Sequence, residues 1–173
     1  YAVRIGNSGQ VEVVFSGGSV TGKKGALIDL GLSNVKIDIV DGVTIETNAS
    51  ITFTRSTNSA KLLGQDDASV TGNSLGNKIV GNNGSNKLMG GAGADIIKGG
   101  AEVDSLSGGR GAEKIQGDGC ADFINGGAGS DRFTYRTAKD GGDTIHNFDK
   151  SDSFVFEGSA FGCGDSTGYV GKS

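Results

Sequence analysis

The sequence has no proline and no tryptophan, a single histidine, two cysteines and only 6% aromatic residues. That is too little bulk for a conventional thick core, so a thin, extended architecture in one domain, or one elongated module plus a cap, is expected. His146 without an H-E-x-x-H motif excludes a zinc protease site. Cys120 and Cys163 are too few for a disulfide framework, and the sequence leaves open whether they pair. No apolar run approaches the roughly 18 residues of a membrane-spanning helix. Twenty acidic residues against 16 basic give a net charge of −4, from which no nucleic-acid partner is expected. Tyr1 opens directly in β-like sequence with neither a basic start nor an apolar stretch, as in an excised fragment or a protein exported by an uncleaved signal.

What the chain has in quantity is glycine, 33 residues of it. Residues 72–134 are seven ungapped copies of a nine-residue unit: GNSLGNKIV, GNNGSNKLM, GGAGADIIK, GGAEVDSLS, GGRGAEKIQ, GDGCADFIN and GGAGSDRFT. A fixed period of this kind signals a repeat architecture. The first six places begin with Gly in every copy and usually carry Gly again at the second and fourth places, which reads as a tight turn with accessible carbonyls. The sixth place is polar throughout: Asn77, Asn86, Asp95, Asp104, Glu113, Asp122 and Asp131. The last three places put one apolar residue between two others: Ile79, Leu88, Ile97, Leu106, Ile115, Ile124 and Phe133. Three residues with one inward side chain make a very short strand. The expected fold is therefore all-β, a parallel β-roll in which two units make one flattened coil and the apolar row stacks into a thin core.

A turn with one carboxylate and several free carbonyls suits a hard cation that takes six to eight oxygens, Ca²⁺. If a coil is two units, Asp95 stacks over Glu113 and Asp131 on one edge, and Asp104 over Asp122 on the other. Stacked carboxylates repel one another unless a cation lies between them. The side-chain ligands expected are Asp95, Asp104, Glu113, Asp122 and Asp131. Carbonyls of Gly91, Gly93, Gly100, Gly109, Gly111, Gly127 and Gly129 are the expected backbone ligands, and Asn86, Glu102, Asp118 and Cys120 complete the set. A metal-free solenoid of glycine-rich turns is the alternative.

These seven units resemble the RTX, or hemolysin-type, calcium-binding repeat, G-G-x-G-x-D-x-U-x with U a large aliphatic residue. GGAGADIIK and GGAGSDRFT fit fully, whereas GGAEVDSLS and GGRGAEKIQ each depart once. The resemblance implies a β-roll that orders on binding calcium, in a secreted or cell-surface bacterial protein exported by type I secretion machinery. Departures bear on affinity: Asn77 and Asn86 lack the charge, and Glu113 is one methylene longer. Leu75, Glu102 and Cys120 replace the fourth-place Gly, each costing roughly 1–2 kcal/mol if that place is left-handed. The edge of turns 90, 108 and 126 is therefore expected to bind more tightly than that of turns 81, 99 and 117. Cysteine at position 120 is unusual for the family.

Residues 1–71 lack these turns but keep short β-branched runs, among them VEVVF (11–15), ALIDL (26–30), SITFT (50–54) and KLL (61–63). Central apolar residues Ile28, Ile37, Ile45, Phe53, Leu62 and Val70 step by eight or nine toward Ile79. Residues 1–71 are thus expected to be degenerate, calcium-free solenoid coils, with a small sandwich or meander as the alternative. Residues 135–173 hold most of the aromatics and are expected to cap the open end of the roll, which residues 72–134 form. Asp143-Thr144-Ile145, Phe148 and Asp149 match the D-T-I-x-x-F-D string that follows the repeats in many family members. Asp140 or Asp143 is a candidate to complete an ion with the Asp122 turn.

Two apparent motifs carry no chemistry. GNSLG (72–76) has the letters of a nucleophile elbow but is the turn of a repeat, with no helix to follow and no histidine nearby in sequence. GKS (171–173) lacks the preceding glycine of a phosphate loop. No threonine ladder of an ice-binding face runs through the seven copies. The function expected is non-catalytic: a calcium-folded module that stabilises or presents an extracellular protein. The alternative is a carbohydrate-binding accessory module of a polysaccharide-modifying enzyme, of the alginate epimerase or lyase type. Lys78, Lys87 and Lys114, all at the seventh place, form a partial basic row that keeps extracellular polysaccharide in view as a partner.

Overall fold

The computed structural model describes residues 2–5, 10–15, 18–23, 35–37, 44–48, 50–53, 57–157 and 168–170. Three strands open the chain: β1 (Ala2–Ile5), β2 (Gln10–Phe15) and β3 (Gly18–Lys23). They pair antiparallel in the order β1-β2-β3, so the VEVVF run lies in a meander rather than in solenoid coils. The ALIDL run and Ile28 fall outside the described residues.

Parallel winding is described from β4 (Val35–Ile37) onward. There follow β5 (Thr44–Thr47), β6 (Ile51–Phe53), β7 (Ser59–Leu62), β8 (Ser69–Thr71) and β9 (Lys78–Val80). The repeats continue as β10 (Lys87–Ala92), β11 (Ile96–Gly100), β12 (Ser105–Gly111), β13 (Lys114–Asp118), β14 (Phe123–Gly129) and β15 (Arg132–Tyr135). After them come β16 (Thr144–His146), β17 (Ser153–Phe156) and β18 (Gly168–Val170). Even-numbered strands β4 to β16 form one parallel sheet, and odd-numbered β5 to β17 form the other. β18 closes the odd sheet antiparallel to β17. The fold is a parallel β-solenoid in which consecutive strands alternate between two facing sheets.

Register follows the nine-residue unit. Leu88 pairs with Leu106, and Leu106 with Ile124, on the even sheet; Ile79, Ile97, Ile115 and Phe133 align on the odd sheet. All seven are at most 2% exposed, so the core of the repeats is one stacked row from each sheet, as such short strands permit. In the earlier coils Ile37 aligns with Phe53, as the spacing suggested, but Ile45 aligns with Ala60 rather than Leu62, and Val70 with Ile51 rather than Phe53. Leu62 and Phe53 are nonetheless buried, because alternate residues of these strands face the same interior.

Beyond the repeats β16 and β17 extend both sheets by one further coil. Phe148 stacks on Phe154 at 4.7 Å between ring centroids, and both lie against Phe133 of the last repeat, at 5.8 and 5.7 Å. Tyr135 stacks on Phe156 at 5.4 Å. Phe161 and Cys163 lie outside the described residues, and Cys120 is exposed. His146 is exposed on β16, and Ser74 sits in a turn that leads into strand β9 rather than a helix, which removes the nucleophile-elbow geometry.

Candidate metal centres

The seven turns are of two kinds. In copies three to seven the second place has positive φ: Gly91, Gly100, Gly109, Asp118 and Gly127, at 112, 123, 119, 70 and 105°. So does the fourth: Gly93, Glu102, Gly111, Cys120 and Gly129, at 98, 61, 146, 74 and 146°. Asn73, Leu75, Asn82 and Gly84, at the same places in the first two copies, are absent from that region. Leu75 is therefore unstrained, contrary to expectation, whereas Glu102 and Cys120 do hold the left-handed backbone. Coil-to-coil contact is close at these places: a Cβ at Gly129 would lie 1.4 Å from the Gly111 carbonyl oxygen.

The first two turns close on their own amides. Asn82 N–H donates to Asn86 Oδ1 at 2.8 Å, and Asn86 Nδ2 donates to Asn82 Oδ1 at 2.9 Å. Asn82 Nδ2 donates in turn to the carbonyls of Leu63 and Asp66, at 2.9 and 3.0 Å. Asn73 and Asn77 make the same reciprocal pair, at 3.0 and 3.1 Å. Asn86 thus has both its amide oxygen and its amide nitrogen engaged within the protein.

The remaining turns carry buried carboxylates. Asp95, Asp104, Glu113, Asp122 and Asp131 are each 1% exposed. One oxygen of each aspartate accepts the N–H of the sixth residue of the coil before it. Asn77 donates to Asp95 and Asn86 to Asp104, both at 2.7 Å, Asp104 to Asp122 at 2.8 Å, and Glu113 to Asp131 at 3.0 Å. This is the expected stacking of Asp104 under Asp122 and of Glu113 under Asp131. The other oxygen, Oδ2 in every case, has no partner, and Glu113, with its extra methylene, leaves both oxygens unpaired.

A buried carboxylate without a partner is expensive, and the protonation equilibria reflect that cost. Burial pushes Asp104 up to about 7, with the nearby charges of Asp122 and Asp118 adding to it. Burial likewise raises Asp95 and Asp122 to about 6, against the opposing backbone hydrogen bonds. Glu113 rises to about 8 because it is buried and faces the Asp131 carboxyl, with which it can share a proton. A divalent cation meets the same need without protonation.

Residues and ion fit. The orphaned oxygens lie at the mouths of the turns: Asp95 Oδ2 and Asp122 Oδ2 sit 2.2 and 2.1 Å from where a Cβ on the first-place Gly90 and Gly117 would be. Among the described residues no three His, Cys, Asp or Glu side chains converge to hold a metal by themselves, so main-chain carbonyls have to complete the shell. Gly91, Gly109 and Gly127 lie in register on one edge, as do Gly111 and Gly129. On the other edge Gly100 pairs in register with Asp118. The Asp118 side chain is held by Gln116 Nε2, and the side chains of Glu102 and Cys120 are exposed.

Two carboxylates extend the rows beyond the repeats. Asp122 N–H donates to Asp143 Oδ1 at 2.9 Å, and Asp131 N–H to Asp152 Oδ1 at 2.8 Å, across 21 residues in each case. Asp143 was one of two candidates named from sequence; Asp152 was missed. The strings Asp143-Thr144-Ile145 and Asp152-Ser153-Phe154 repeat the D-x-U pattern of Asp131-Arg132-Phe133, a signal hidden by the change of period. Asp140, the other candidate, instead accepts the N–H groups of Arg136 and Thr137 within its own turn.

Two stacked parallel sheets joined by left-handed glycine turns, each holding one orphaned carboxylate, define a calcium-type β-roll. Residues 71–106 and 99–133 match the family model of the RTX calcium-binding nonapeptide repeat, so this stretch of the chain is an RTX repeat region. Comparison with curated proteins and with solved structures found no match.

Proposed function

We propose that this chain is a non-catalytic module that folds on binding Ca²⁺ after export and stabilises or presents an extracellular bacterial protein. The observation that carries the reading is the set of buried, unpartnered oxygens on Asp95, Asp104, Glu113, Asp122 and Asp131. Those side chains, with carbonyls of the second and fourth places, would hold the ions. Bound Ca²⁺ would neutralise the stacked carboxylates and cross-link successive coils. The parallel strands from β4 to β8 then act as calcium-free coils, and the residues after 134 as a cap. Secretion by a type I system accords with the family's habit. Calorimetric titration of the chelator-treated chain with Ca²⁺ tests it: several sites with dissociation constants of about 10⁻⁴–10⁻³ M are expected, and absence of binding heat would reject the reading.

A second reading, binding of an acidic polysaccharide, rests on the odd sheet. Lys78, Ile96, Lys114 and Arg132 align there in one ladder, and Lys61, Val80 and Lys98 in the next. With rungs about 4.8 Å apart, this makes a basic strip on an acidic protein. Lys98, Lys114 and Arg136 border a shallow groove of about 160 Å³ on that face. Lys87 lies on the other sheet, so the row expected from sequence is redrawn rather than kept. A glycan array showing no binding to acidic oligosaccharides would remove this reading.

A further inference from the structure

The first two repeat turns hold their coils together without an ion-facing oxygen. Among the described residues, the buried side-chain oxygens that lack a partner begin at Asp95. Before it the second place of the turn is asparagine rather than glycine, and its amide reaches the coil before it. Asn82 Nδ2 donates to the carbonyls of Leu63 and Asp66, at 2.9 and 3.0 Å, and Asn73 Nδ2 to the Thr57 carbonyl at 2.7 Å. The amide offers positive charge to neighbouring carbonyls, as a cation would, but adds no net charge, so its stacking leaves no repulsion for an ion to relieve. Asn77, Asn82 and Asn86 are buried, which shields these bonds from competing water.

The first carboxylate-bearing turns close on the edge that these two turns present. The N–H groups of Asn77 and Asn86 donate to Asp95 Oδ1 and Asp104 Oδ1, both at 2.7 Å. In return Ile96 N–H donates to the Asn77 carbonyl at 2.7 Å and Ser105 N–H to the Asn86 carbonyl at 2.8 Å. Each coil of a solenoid contacts chiefly its neighbours, so a coil already folded nucleates the next. We infer that residues 57–89 stay folded without calcium, locked by the Asn73 and Asn82 amides, and template the calcium-dependent coils that follow. Growth of the roll is then directional, from the Asn77 and Asn86 edge toward the aromatic end. The inference rests on the calcium reading of the later turns and asks nothing of an ion before residue 90.

Hydrogen exchange on the whole chain tests it, in chelator at about pH 8 so that protons do not take the place of the ions. There the amides of residues 73–87 are expected to stay protected and those of 96–132 to lose protection, which Ca²⁺ restores. Loss at 73–87 together with 96–132 overturns the template while leaving the later turns as calcium sites; protection across 96–132 in chelator overturns the calcium reading itself. Asn82→Asp keeps the shape of the side chain but removes both donated bonds. Its protection over 73–87 in chelator is expected to fall, and protection equal to the parent's would overturn the amide lock. Pulse labelling of the parent chain after mixing with Ca²⁺ reads the direction. Protection is expected at 96–105 before 123–132, and the opposite order, or a simultaneous gain, would rule out growth from the template.

Discussion

Asp131 receives the Glu113 N–H at 3.0 Å and passes the pattern on, its own N–H donating to Asp152 Oδ1 at 2.8 Å. The rung is the same although the chain travels 18 residues in one case and 21 in the other. What defines a coil is therefore the closing of this sixth-place bond, with the intervening length free to change.

Asn and Asp at the sixth place do different work. Asp104→Asn removes an ion-facing carboxylate where the second place is Gly100, so no asparagine is there to close the turn. The melting temperature in saturating Ca²⁺ should fall, by the equivalent of about 1.5–3 kcal/mol for a lost charged interaction, and rise in chelator at about pH 8, where the buried carboxylate is itself destabilising. Asn82→Ala removes an amide lock instead and should lower stability by about 1–3 kcal/mol. That loss should appear at any temperature-resolved signal from the early coils, with or without Ca²⁺. If the two variants respond alike to calcium, the distinction between turn types is wrong.

Glycine is required by contact as well as by dihedral. At Gly129 a Cβ would fall 1.4 Å from the Gly111 oxygen, with φ at 146°, whereas at Gly119 the nearest atom is 3.7 Å away. Gly129→Ala should therefore cost more than the roughly 1–2 kcal/mol of a left-handed residue alone. Gly119→Ala should change stability by less than about 0.5 kcal/mol. Chemical denaturation in Ca²⁺ compares them directly.

Cys120 is an ordinary L-residue held at φ 74°. Replacing it with Gly removes roughly 1–2 kcal/mol of strain and costs about 0.5–1 kcal/mol of unfolded-state entropy. A net gain of about 0.5–1 kcal/mol in thermal unfolding is expected, and a loss would show that the thiol packs against something that matters.

Protons should partly replace calcium. Asp95 and Asp122 near 6, Asp104 near 7 and Glu113 near 8 all lie above their unfolded values of 3.8 or 4.5. Between those limits the folded chain binds more protons than the unfolded one, so the calcium-free fold loses stability as pH rises. In chelator, melting should therefore occur at higher temperature at about pH 5 than at about pH 8, a window set by these shifts. The gain on adding Ca²⁺ should run the other way, largest at the alkaline end. A calcium-free melting temperature that rises with pH would contradict the assignment of these carboxylates.

Much of this was legible in the sequence because the repeat couples two signals. The apolar residue at every ninth position fixed Ile79, Leu88 and Ile97 in the core, and the polar sixth place fixed the stacked carboxylates. Legibility failed where only one signal remained. Before residue 72 the apolar spacing matched Ile37 to Phe53, but in strands this short alternate residues both face inward, and Ile45 paired with Ala60 rather than Leu62 and Val70 with Ile51 rather than Phe53. The turn backbone was also hidden: Leu75 looked like a strained replacement for glycine, and the cue that it is not was Asn73, whose side chain closes another kind of turn. Asp152 escaped because its spacing left the nine-residue frame.

Circular dichroism and thermal melting, with Ca²⁺ titrated from excess chelator into the millimolar range, test the central claim most directly. If buried carboxylates make calcium the condition for the roll, β-signal and melting temperature rise together and level off at about 10⁻⁴–10⁻³ M. A chain already fully folded in chelator at neutral pH, with a melting temperature that calcium leaves unmoved, would contradict it.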